Sequence, residues 1–158
     1  MNRFKTSVFV VAALFLISAM ALAARGGQSF KAMLAGSEEA PPVTTAATGE
    51  ATFSTIERGK VLNYMLHVKD IKDVTSAHIH LGGPGKSGPP VVVLFNGPEK
   101  KGEFTGMLAD GRITAKMLIG PLEGKTLTAL IHEIRTGNAY VNVHTKQNPG
   151  GEIRGQIK

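Results

Sequence analysis

Between Lys60 and Lys69 the chain alternates without a break. Leu62, Tyr64, Leu66 and Val68 fall on one parity, and Val61, Asn63, Met65 and His67 on the other. Successive side chains of a strand point to opposite faces, so this segment suits a half-buried strand. It does not suit a helix, whose apolar residues return every three or four positions. Period two recurs in Ser29 to Ala35, Gly49 to Ile56, Val74 to Leu81, Val91 to Phe95, Gly102 to Leu108, Ala139 to Thr145 and Glu152 to Ile157. The breaks between these runs are turn chemistry: Arg58-Gly59, Asp70-Ile71-Lys72-Asp73, the Gly/Pro loop Gly82 to Pro90, and Asn148-Pro149-Gly150-Gly151. Pro followed by Gly in the last of these suits a type II turn. Pro41-Pro42 rules out regular structure across Glu38 to Ala47, and Gly111 to Pro121 reads as a strand end and a turn.

One segment breaks the period. Leu127, Leu130, Ile131 and Ile134 form a helical stripe, with Thr126 as N-cap and Gly137 as stop. The expected fold is all-β: an antiparallel β-sandwich or barrel, Greek-key-like, with one short α-helix near 126–136.

The first residues read as a signal rather than as structure. Arg3 and Lys5 precede an apolar run from Val8 to Ala19, and Ala21-Leu22-Ala23 supplies small residues at a cleavage site. The expected organisation is a signal peptide over 1–23, a leader over 24–28 and one domain over 29–158. Its location is secreted or periplasmic, with no membrane span after cleavage. The chain has no cysteine. An exported domain without disulfides depends on its own core, and about 135 residues suffice for one. With the signal removed, 16 of the 18 basic residues remain against 12 acidic ones, a formal charge of +4. These charges are scattered and aromatics are few, which argues against nucleic acid as a partner. Weak attraction to anionic cell-surface polymer is compatible with them. Nothing in the sequence sets an oligomeric state.

Parity also places the histidines. On Val74 to Leu81 the apolar set is Ala77, Ile79 and Leu81, so His78 and His80 share the other face. On Ala139 to Thr145 the core set is Val141 and Val143, which leaves Tyr140, Asn142 and His144 outside. Two imidazoles on one strand with a third from another strand suit copper or zinc. If Asp70 to Asp73 turns a hairpin pairing Lys69 with Val74, Met65 lies opposite His78. Met65 and His67 then become secondary ligand candidates, and a thioether favours copper. Because the neutral imidazole is the ligand, binding is expected to weaken as pH falls through about 6.5. His132, on the helix, is expected to be structural or exposed.

Other groupings carry less. Gly85-Lys86-Ser87 lacks the preceding glycine and the following helix of a phosphate loop. Glu38-Glu39 reads as exposed loop charge, and Glu152 with Arg154 as an ion pair at the end of the sheet. No nucleophilic triad spacing is present, which favours a binding module over an enzyme.

Four motifs in order, Ala77-His78-Ile79-His80-Leu81-Gly82, Gly88-Pro89-Pro90-Val91-Val92, Gly137 to Thr145, and Asn148-Pro149-Gly150-Gly151-Glu152-Ile153-Arg154-Gly155-Gln156, resemble the CHRD domain. The likeness runs from about Ser29 to Lys158. It implies an extracytoplasmic β-rich module. The cysteine-rich modules that accompany this domain in chordin-like proteins are absent from this chain, so growth-factor binding is not carried over. The H-x-H strand also resembles the copper strand of Cu/Zn superoxide dismutases, but no cysteine and no zinc loop accompany it. The expected function is an extracytoplasmic binding module with a copper or zinc site at His78, His80 and His144. The alternatives are a metal-free module binding a protein or cell-envelope polymer, and a dismutase-like metalloenzyme.

Overall fold

The computed structural model describes residues 27–158, so the expected signal peptide lies outside the described residues. Among the described residues, six strands and one α-helix follow in order: β1 (Ser29–Ala35), β2 (Thr48–Ile56), β3 (Val61–Leu81), β4 (Pro90–Ile113), α1 (Leu127–Arg135), β5 (Ala139–Thr145) and β6 (Ile153–Gln156). All pairings are antiparallel. The sheet order is β2-β1-β6-β5-β3-β4, and β2 also pairs with β3, which closes a five-stranded barrel with β4 as an added strand.

The closing element is β3. Its first half pairs with β2 from Ile56↔Val61 to Thr48↔Lys69, and its second half pairs with β5 from Val74↔Thr145 to Leu81↔Ala139. The hairpin expected at Asp70 to Asp73 does not form, because the strand runs straight through. β4 lies along its whole length, with register shifts on either side of Ile71 and Val74. Asp70 and Asp73 take left-handed backbone, with φ of 53° and 51°. Neighbouring β4 holds both kinks: the Asp70 N–H donates to Thr105 Oγ1 at 3.0 Å, and Asp73 Oδ1 accepts from the Gly102 N–H at 2.7 Å. Energy favours continuity. Full burial of Ile71 and Val74 contributes about 2 kcal/mol each, against about 1 kcal/mol for each left-handed Asp. The runs expected at Val91 to Phe95 and Gly102 to Leu108 likewise merge into β4, and the Gly111 to Pro121 region becomes the end of β4 followed by short 3-10 turns at Ala115–Met117 and Gly120–Leu122.

The barrel interior follows the parity of the sequence. Leu62, Tyr64, Leu66, Val68, Ala77, Ile79, Val141 and Val143 are all buried in one core. α1 packs Leu127, Leu130, Ile131 and Ile134 inward and leaves His132 exposed. The helix begins after Thr126, whose side chain makes no capping bond. It stops at Gly137 (φ 72°), with the Asn138 N–H donating back to the Glu133 carbonyl at 2.8 Å.

β5 departs from the half-buried pattern, since all seven of its residues are buried. Its inner face meets the apolar core. Its outer face, Tyr140, Asn142 and His144, is covered by a polar layer built from three loops.

Candidate metal centre

The outer faces of β3, β5 and β6 carry this layer in register. His80 pairs with Tyr140, His78 with Asn142, and Ser76 with His144. On the far side of β5, Gln156 pairs with Tyr140 and Arg154 with Asn142. Cross-strand partners project to the same face, so His78, His80 and His144 point into one space.

The three rings converge. Centroid separations are 5.6 Å for His78–His80, 5.1 Å for His78–His144 and 5.7 Å for His80–His144. One ring nitrogen from each lies within 4.8 Å of the other two. Tetrahedral zinc with bonds of about 2.1 Å asks for somewhat closer nitrogens, an adjustment within the reach of small χ rotations.

Loops set the chemistry of each ring. His80 Nδ1 donates to the Gly88 carbonyl at 2.8 Å, and His144 Nδ1 donates to the Pro149 carbonyl at 3.0 Å. Those bonds fix the proton on Nδ1 and leave a lone pair on Nε2. His80 Nε2, His144 Nε2 and His78 Nδ1 are all buried without a hydrogen-bond partner. Buried polar atoms are rarely left unpaired, and three converging imidazoles, each with one orphaned nitrogen, suit a cation better than they suit any donor the protein supplies. A ligating histidine whose other nitrogen donates to a backbone carbonyl is the usual supporting arrangement of a metal site. Among the described residues no other such group of three occurs.

Electrostatics keep the lone pairs free. Burial, with His144 and His80 as neighbours, lowers the His78 pKa to about 4. Burial lowers His80 too, against the Gly88 bond and helped by the Arg154 charge. Burial lowers His144 against the Pro149 bond, with His80 adding to the effect. The expected loss of binding near pH 6.5 therefore moves to lower pH. The same shift makes the metal-free fold acid-labile. Between about 6.5 and about 4 the unfolded chain binds a proton on His78 that the native state refuses, so stability falls as pH falls through that window. Urea midpoints of wild type and His78→Gln, followed from pH 7 to 4 without metal, should diverge, with the wild type falling further. Parallel curves would remove this account.

The surrounding residues build a stack. Arg154, 2% exposed, lies over the Tyr140 ring at 3.5 Å, and Tyr140 stacks on His80 at 5.2 Å and 18°. Arg154 also donates to the Gly83 carbonyl at 2.8 Å, and the Tyr140 hydroxyl accepts the Gly88 N–H at 3.2 Å. The ion pair expected between Glu152 and Arg154 does not form. Glu152 instead accepts from Thr45, Thr145 and the Asn148 amide, which fastens the turn carrying Pro149. That turn closes with the Gly151 N–H donating to the Asn148 carbonyl at 3.0 Å. Positive φ falls at Gly151 and not at Gly150, so the turn is not type II.

Glu39 was expected to be exposed and is buried beside Asn142. Burial raises its pKa to about 7, against the Arg154 charge and the Asn142 bond. The structure also separates the secondary candidates from the site. Met65 pairs with Thr52 and Asp110, His67 pairs with Glu50 and Met107, and both are exposed in the first half of β3. The turn that was to fold them onto His78 is a strand.

A closed β-barrel with a tri-histidine cluster under its loops is the class of structure these features define. The family model of the CHRD domain matches residues 30–157, and the chain belongs to that family. Chordin from Xenopus laevis is 33% identical, over 78% of this chain and 12% of that protein. Chordin from Danio rerio is 32% identical with the same shares. The chain thus spans about an eighth of the length of these curated relatives. No solved structure matches it significantly.

Proposed function

We propose that this chain is an extracytoplasmic CHRD-domain binding module that holds one copper or zinc ion through His78, His80 and His144. The reading rests on one observation: three imidazoles, each with a buried nitrogen that lacks a partner, bring one nitrogen apiece within 4.8 Å of one another, and two of the rings have their tautomer set by backbone carbonyls. Neutral imidazoles suit both metals. The basic and apolar N-terminal run supports export, and among the described residues no helix is long and apolar enough to cross a membrane.

The test is atom-specific. Zinc titration followed by long-range proton–nitrogen spectra of the imidazoles should saturate at one equivalent. It should move His80 Nε2, His144 Nε2 and His78 Nδ1, and leave His132 unmoved. Unmoved resonances at the three would favour the alternative, a module that docks a protein or cell-envelope polymer without metal.

A further inference from the structure

Met65 and His67 belong to a different surface. Three exposed methionines, Met33, Met65 and Met107, are 60%, 49% and 47% exposed, and the register places them on one outer face. Met33 pairs with Glu50, Glu50 with His67, and His67 with Met107, forming a row across β1, β2, β3 and β4. Met65 stands two residues from His67 on the same face of β3. Directly paired residues hold their Cβ atoms about 5 Å apart, and diagonal neighbours about 7 Å. Methionine has three rotatable bonds beyond that, so the thioethers of Met65 and Met107 can both reach the metal-binding side of the His67 ring. Glu50 does not compete, because its carboxylate is tied to Lys31 Nζ at 3.0 Å.

We infer that Met65, His67 and Met107 form a second, surface site for a soft monovalent cation, Cu(I) or Ag(I), separate from the three-histidine centre. Two thioethers and one imidazole select a soft ion over zinc, calcium or magnesium. His67 and His78 are far apart along β3, about 36 Å of strand at about 3.3 Å per residue, so this site fills or stays empty whatever the tri-histidine cluster does. Exposed methionines also serve as adaptable docking surfaces, but an apolar contact has no use for an imidazole between two sulfurs.

Silver(I), in chloride-free buffer, is the probe, with the methionine methyl groups carbon-13 labelled. Wild type should bind one more equivalent of Ag(I) than Met65→Leu/Met107→Leu. The Met65 and Met107 methyl resonances should move with that equivalent, and Zn(II) should move neither. Met117, 41% exposed and outside the sheet, is the internal control. His80→Ala should keep the methyl shifts, which separates a failure of this site from a failure of the other. Equal Ag(I) stoichiometry in wild type and the double variant would overturn the inference, as would Met65 and Met107 shifts no larger than that of Met117. The substitutions are close in volume and exposed, so loss of folding does not obscure the result.

Discussion

Zinc held at about 1,000 times its dissociation constant should add about 4 kcal/mol to the wild-type protein, a rise in unfolding midpoint of roughly 15 °C for a domain of this size, and His144→Ala should show almost none of it. His144 is buried and brings the one ligand from outside β3, so its loss leaves only the pair on a single strand. Affinity should fall by more than about 100-fold, the upper range for disturbing a merely supporting residue. The Ala variant also loses the donor to the Pro149 carbonyl, which lowers the metal-free midpoint as well. The informative quantity is therefore the midpoint with zinc minus the midpoint without it, measured within each protein by calorimetry. An increment in His144→Ala equal to that of wild type would show that the ion binds elsewhere.

Gly151→Ala should cost about 3 kcal/mol and loosen the centre it never touches. Gly151 sits at φ 132°, where an L side chain is strained by about 1–3 kcal/mol. Its absent side chain is also what lets the Asn148 turn lie flat on β5. A Cβ there would overlap the Asn142 amide and stand 2.7 Å from Glu39 Oε1. Neither group can retreat, since both are buried, and overpacking adds a further penalty of about 1–3 kcal/mol. Any shift of the turn carries the Pro149 carbonyl away from His144 Nδ1 and frees the ring to adopt the wrong tautomer. Urea unfolding should show the loss, and zinc competition should show weaker binding in the same variant. A change in stability below about 0.5 kcal/mol, the range of neutral surface substitutions, would mean that the turn has room the structure does not display.

Much of this arrangement is legible from side-chain parity. β1 and β5 match the expected bounds, and α1 matches its stripe, because alternation and the 3.6-residue period are local properties that tertiary context only reinforces. Parity alone puts His78, His80 and His144 outside the core. The continuity of β3 and β4 was not legible. Asp70, Asp73, Gly97 and Gly102 carry turn chemistry, and only the long partner strand, pairing across the kinks, makes an extended path favourable. That error moved Met65 and His67 to the wrong end of the molecule. The loop carbonyls that set the tautomers, the Arg154–Tyr140–His80 stack and the burial of Glu39 arise from segments remote in sequence, and neither composition nor spacing announces them.

Closure of the barrel also decides where this chain is vulnerable to self-association. Among the described residues every strand but β4 is paired on both flanks over part or all of its length, so unpaired strand edge is gathered along one 24-residue rim. Past Val91, whose carbonyl accepts from Ile119, that rim is interrupted by Pro98, by the neighbouring lysines at 100 and 101 and by several glycines. Proline and lysine are the usual guards against another chain zipping onto an open strand. Protection against such pairing is thus vested in a few residues of β4.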